Sequence, residues 1–290
     1  MRAVGKASVP TILSVASAAL VLAACGGDDS SSATSAADTS SGPAPGLGAT
    51  RTGDSESNAP SPLEAPNASG ATLPRGSAQV ELDPAEFTTE IDNPYFPLRP
   101  GSKSISKETD TELGTAKIVA RVTDKTKVVA NGIEAVIARD VVIEDGAAAE
   151  IAEDWYAQDR QGNVWHLGGK TKEIKKGKVI SSGRTFEAGV DGALPGIAMP
   201  AEPAAGLAYR EQHYSGEAED ETSIVSVGVE QVGVPAGRYT DVVMTRTVSR
   251  VEPKAQELKF FARDVGPVMA ISVSPAPAGF EELLRIADGT

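Results

Sequence analysis

The sequence predicts an all-β fold: a curved antiparallel meander, half-barrel or barrel-like. Three observations carry this expectation. Apolar side chains alternate with a period of two, hairpin turn residues recur between the alternating runs, and few windows combine helical periodicity with a cap. Lys117 to Thr123 alternates cleanly, with Ile118, Ala120 and Val122 on one face. Asn131-Gly132 then marks a tight turn, because Asn and Gly accept the positive φ values that two-residue hairpin loops require. Ile133 to Glu144 is apolar on both faces, as in a central or bulged strand. Turn signals follow at Asp145-Gly146, Asp159 to Asn163, Lys176-Gly177 and Pro235-Ala236-Gly237. Between and after them, one face collects Val225, Val227 and Val229, another Val242, Met244 and Val248, a third Leu258, Phe260 and Ala262. Glu281 to Ala287 is the best helical candidate and reads equally well as a last strand. Short strands joined in chain order build a meander.

Composition removes several functions. The chain has 290 residues, 27 Lys and Arg against 40 Asp and Glu, and a net charge of -13. Nucleic-acid binding is not expected, since phosphate contacts need a cationic surface. One cysteine permits no internal disulfide, and two histidines permit no three-histidine metal centre within one chain. No metal and no cofactor is expected.

The N-terminus gives the location. Arg2 and Lys6 precede an apolar run from Val9 to Ala24 that is short and Ala/Ser-rich for a membrane span. It ends in Leu22-Ala23-Ala24-Cys25, which resembles the lipobox of bacterial lipoproteins. That resemblance implies a signal peptide over 1–24 and lipidation of Cys25. Two or more acyl chains give stable anchoring. The expected location is the cell membrane of a bacterial envelope, on its extracytoplasmic face, with the membrane as partner through Cys25. Residues 25–79 contain no aromatic residue and are dominated by Ser, Ala, Gly, Pro and Thr. Such a segment buries too little apolar surface to order itself, so it reads as a disordered tether of about 40 Å mean reach. The remaining residues, 80–290, have the size of one β-rich domain.

Several strings in that domain are distinctive: Asp92-Asn93-Pro94-Tyr95-Phe96-Pro97-Leu98, Asp154-Trp155-Tyr156-Ala157-Gln158-Asp159, Gly162-Asn163-Val164-Trp165 and Pro195-Gly196-Ile197-Ala198-Met199-Pro200-Ala201. Together they resemble an uncharacterised family of secreted bacterial proteins and lipoproteins, found largely in actinobacteria. The resemblance implies secretion and brings no activity with it.

Candidate chemistry is sparse. Gly169-Lys170-Thr171 looks like the tail of a phosphate loop, but Val164 stands where its first glycine belongs. Ser104-Ile105-Ser106-Lys107 has a nucleophile spacing inside a segment that reads as a strand. Trp155 and Trp165 flank the Asp159–Asn163 hairpin, near cross-strand neighbours if it closes tightly, either as core or as a stacking platform. Residues 188–209 form a long apolar connection without evident regular structure, a lid or a structural plug. These features favour binding of an apolar or amphipathic ligand in a curved sheet, with Trp155, Trp165, Met199 and Tyr209 as contacts. The enzyme alternative is a secreted hydrolase using Glu153 or Asp154 with His213. A structural envelope protein is the third reading. Lys170, Lys172, Lys175, Lys176 and Lys178 form a basic patch suited to edge protection or to an anionic lipid or wall polymer.

Overall fold

The alternation read from the sequence becomes a sheet. The computed structural model describes residues 73–110, 114–274 and 279–287, with the side chains of 181–184 and 274 outside the description. The signal segment, Cys25 and nearly all of the tether lie outside the described residues.

Among the described residues, a short 3-10 turn at Pro84–Glu86 is followed by sixteen strands. The first wing comprises β1 (Phe87–Thr88), β2 (Lys103–Asp110), β3 (Gly114–Val128), β4 (Glu134–Glu144), β5 (Ala147–Asp159), β6 (Val164–Lys175), β7 (Lys178–Glu187) and β8 (Gly196–Met199). The second comprises β9 (Ala208–Tyr214), β10 (Ala218–Val227), β11 (Val232–Val234), β12 (Gly237–Tyr239), β13 (Val242–Ser249), β14 (Gln256–Ala262), β15 (Gly266–Ser274) and β16 (Phe280–Ala287). The main sheet runs β7-β6-β5-β4-β3-β2-β16-β15-β14-β13-β10-β9, all antiparallel, so the last strand returns to join the two wings by pairing with β2. The sheet is not closed. β8 pairs with the start of β6, and a single bridge, Leu194 to His213, touches β9. The segment ending in Glu281–Ala287 is therefore a strand, as its alternative reading had it.

The turn residues do what their chemistry allows. Asp145 and Gly146 take φ of 49° and 81°, and Lys176 and Gly177 take 52° and 72°, the two positive values of a tight hairpin. In β3 the buried residues are Ala116, Ile118, Ala120 and Val122, in strict alternation with half-buried or exposed neighbours. The Val225, Val227 and Val229 set departs from expectation. A bulge between Ile224 and Ser226 shifts the register, Ile224 is buried, and Val225 and Val229 stand 43% and 74% exposed.

The two wings share one apolar core. Phe96, from the loop after β1, lies 5.4 Å from Tyr156 of β5 and 6.2 Å from Phe261 of β14, ring centre to ring centre. The sheet is thus rolled around this loop. Residues 73–79, placed in the tether by composition, are held on the domain. Leu73 is buried in the core, and the buried guanidinium of Arg210 donates to the carbonyls of Gly76 (2.8 Å), Ala78 (2.7 Å) and Pro195 (2.9 Å). Glu221 accepts from the Gly76 amide and pairs with Arg75.

Candidate functional site

The distinctive sequence strings meet in one hydrogen-bonded node beneath β5 and β6. Gln158 accepts from the amides of Asp92 (3.1 Å) and Asn93 (3.0 Å) and donates to Asp92 Oδ1 at 2.7 Å. Asn93 Nδ2 donates to the carbonyls of Gly162 and Pro200, and Asn163 Oδ1 accepts from the Ala201 amide. Asp159 receives three donors at 2.8 Å: the Asn163 amide, Asn163 Nδ2 and Trp165 Nε1. Every one of these side chains satisfies a buried partner, which is how a fold locks loops onto a sheet. Their role in this node is architectural.

The four expected ligand contacts lie in the same core cluster. Trp155, Trp165, Met199 and Tyr209 are all buried. Trp165 stacks edge-on with Phe87 and pairs across the strands with Ala157, whereas Trp155 pairs with Gly168. A bulge between Trp155 and Tyr156 separates the tryptophans, so they are not cross-strand neighbours. Lys127 Nζ sits 4.5 Å from the Trp155 ring. The 188–209 segment carries β8, and Ala188, Ala193, Ile197 and Met199 are buried in it. Gly196 passes so near β9 that an added Cβ would overlap the Glu211 carbonyl.

The hydrolase residues go to separate partners. Asp154 Oδ1 lies 3.0 Å from His166 Nε2, and His166 stacks on Tyr156 at 5.1 Å. Burial raises the Asp154 carboxyl, against the lowering effect of His166. Gly169 makes room for this pair, since a Cβ there would overlap Asp154 Oδ1, and Gly168 makes room for the Trp155 ring and the Phe186 carbonyl. The Gly169-Lys170-Thr171 triplet is thus part of a strand shaped for side-chain packing. Glu153 points away from Asp154 and pairs with Lys170 at 2.8 Å. His213 is half-buried on β9, opposite Glu219.

What sequence reasoning missed is the polarity of the inner face. Glu108 of β2 and Glu281 of β16 are directly opposed and both buried. Asp140 and Glu150 are buried on β4 and β5, where alternation turns them to the same face as Ile118 and Ala120. Burial, reinforced by Asp110, Glu257, Glu144 and Glu150, raises Glu108 to about 8. Burial and then Glu173, Asp154 and Glu144 raise Glu150 to about 7. A buried ammonium belongs to the same polar interior. Lys259 of β14 pairs with Glu257 at 3.1 Å and Glu211 at 3.4 Å, and these partners outweigh burial to hold it above its ordinary value. Thr222 (2.5 Å) and Thr247 (3.0 Å) donate to the other Glu211 oxygen. An alternation in which acids occupy the buried parity was the available signal in β2 and β5. Among the described residues no group of three His, Cys, Asp or Glu is arranged to hold a metal ion.

A groove of about 290 Å³ opens where β2, β3 and β16 meet the 97–102 loop and the β14–β15 turn. Leu98, Val122, Val265, Leu283 and Ile286 form its apolar walls with Pro97 and Pro267, and Arg99, Lys103, Arg121 and Asp264 lie at its border. Ile286 is 42% exposed there.

No family model matches this chain, and no curated protein matches it. Three solved structures align. One is a Parabacteroides distasonis protein described as a lipoprotein, 11% identical, over 67% of this chain and 99% of its own, at a TM-score of 0.37. A Bacteroides fragilis protein described as exported, with a YmcC-like fold, is 13% identical over 68% and 100%, at 0.39. A β-barrel-like protein of a domain of unknown function from Brucella abortus is 11% identical over 65% and 98%, at 0.34. These likenesses decide nothing about this chain's activity. No helix among the described residues is long and apolar enough to cross a membrane.

Proposed function

We propose that the protein is an extracytoplasmic lipoprotein, anchored through Cys25, that binds an amphipathic ligand on its rolled sheet. The observation that carries this is the groove at β2, β3 and β16: apolar walls, a half-exposed isoleucine and a charged border in one concavity of about 290 Å³. Small-ligand sites are concave, mainly apolar and furnished with a few polar groups, and this one lies at the small end of their usual range, about 300–1,000 Å³. The ligand's apolar part rests on Leu98, Val122, Leu283 and Ile286, and its polar part reaches the border.

The location rests on the lipobox ending at Cys25, and the binding role rests on the groove. Two measurements test them. Metabolic labelling with an alkyne fatty acid marks the wild-type chain and leaves Cys25→Ser unmarked. Native mass spectrometry of the chain purified without detergent, followed by organic extraction, finds a stoichiometric amphipathic molecule. An unmarked wild type removes the anchor, and a ligand-free mass that persists after incubation with dodecanoate removes the binding role.

A further inference from the structure

The outer face of β2 to β5 carries a pattern that reaches well beyond the groove. Cross-strand partners project from the same face. Ile105, Val119, Val141 and Ile151 are consecutive partners on four adjacent strands and form one continuous apolar row, each half-buried. Two residues along, Lys103, Arg121 and Arg139 are likewise consecutive partners, and all three are exposed. Glu153 continues that row but is engaged with Lys170 at 2.8 Å. On the other side of the apolar row stand Lys107 and Lys117, opposite one another. Lys107 reaches Glu282 at 3.5 Å. Lys103, Lys117, Arg121 and Arg139 take no part in the ion pairs among the described residues. Lys172 and Arg285 close the two ends of the apolar row, opposite Ile151 and Ile105.

Like charges set directly opposite one another cost stability in a sheet. Here they cluster on one face of a chain whose net charge is -13. We propose that this outer face docks on an anionic lipid surface, with the Lys103, Arg121 and Arg139 row over the head groups and the Ile105, Val119, Val141 and Ile151 row against the lipid boundary. Charge complementarity and the chain's own geography select this occupant. Residues 26–72 alone separate Cys25 from the described domain, so an anchored protein keeps this face within reach of the membrane. Long basic stems flanking an apolar stripe cover it in water and spread at a lipid interface. The proposal goes beyond ligand binding in the groove, with which it shares Lys103 and Arg121, and stands without it.

The test uses the chain from residue 25 onward carrying Cys25→Ser, so that no acyl group contributes. Vesicles of phosphatidylcholine alone, or with about 30 mol% phosphatidylglycerol to give a strong negative surface potential, are sedimented with it at low and high salt. Binding is expected to the anionic vesicles only, and to be lost at high salt. Each cation at a lipid surface contributes about fivefold, the equivalent of about 1 kcal/mol. K117E/R139E is therefore expected to weaken binding ~25-fold or more. Both side chains are exposed, outside the ion pairs and away from the groove, so the melting temperature and dodecanoate binding stay with the parent. V119S/V141S weakens vesicle binding severalfold at constant salt. K175E/K178E, on the β6–β7 hairpin, retains it. Equal binding to both vesicle types, no binding, or loss confined to K175E/K178E overturns the proposal. Capture by soluble polyphosphate without capture by vesicles overturns it as well, and points to an anionic wall polymer.

Discussion

The two halves of the molecule's interior differ in how much charge they bury without a closed set of partners. Around β5, β6 and β8, tryptophan, tyrosine, methionine and a closed set of amide and carboxylate hydrogen bonds fill the space. Around β2, β16 and β14 the buried positions mix Phe261 and Leu283 with Glu108, Glu281, Lys259 and small residues such as Ala116 and Ala270. The first half supplies stability through apolar burial and satisfied polar groups. The second imposes a cost, since buried carboxylates are stable only when protonated or paired. The strings most distinctive in the sequence lie mainly in the stabilising half, and the groove, which takes only Pro97 and Leu98 from them, lies in the other.

Substitutions cost most where the interior is most tightly packed. Trp165→Ala removes a buried indole and a donor to Asp159, and is expected to cost about 3–5 kcal/mol in urea unfolding. A cost below about 1 kcal/mol would mean that this half is not the stabilising one. Lys259→Met leaves Glu211 and Glu257 without their shared cation, and is expected to cost about 3 kcal/mol at neutral pH. A smaller cost at about pH 5 than at about pH 8 is expected for it, because burial raises Glu257 and its protonation relieves the unpaired charge.

The buried acids, Glu108 on β2 and Glu150 at the far end of β5, also set a pH dependence. Glu108 and Glu150 have folded values of about 8 and about 7, above the ordinary 4.5. The folded state therefore holds more protons than the unfolded one between those limits. The stability these groups allow is complete below pH 4.5 and is lost as pH rises through 7 to 8. Glu108→Gln is expected to raise the melting temperature at about pH 8.5 by an amount equivalent to about 2–4 kcal/mol, and to change it little at about pH 4.5. Thermal melts across that range check it, and a flat difference between wild type and variant would sink the assignment. The smallest stability effect belongs to Ile286→Glu, within about 0.5 kcal/mol, because the residue is half-exposed on the groove wall.

Much of the fold was legible because its turns are chemically specific. Asn131-Gly132, Asp145-Gly146 and Lys176-Gly177 mark real hairpins, and Ile118, Ala120 and Val122 do share the buried face. The β8 strand was not legible, since four residues among glycine, proline and alanine give no alternation to read. Aromatic and apolar side chains serve a core as well as a site, and Trp155, Trp165, Met199 and Tyr209 sit in the core. The groove draws Leu98, Val122, Leu283 and Ile286 from separate segments of the chain, a convergence that depends on β16 pairing with β2. Sequence spacing carries no trace of that long-range pairing.

The groove at β2, β3 and β16 is proposed to hold an amphipathic ligand. Calorimetric titration of dodecanoate, kept below its micellar concentration, into wild type and Ile286→Glu tests it most directly. One site is expected in the wild type, with at least about tenfold weaker binding in the variant by loss of apolar contact and addition of a like charge, and with matching melting temperatures without ligand. Equal binding by the two proteins, or none by the wild type, would contradict it.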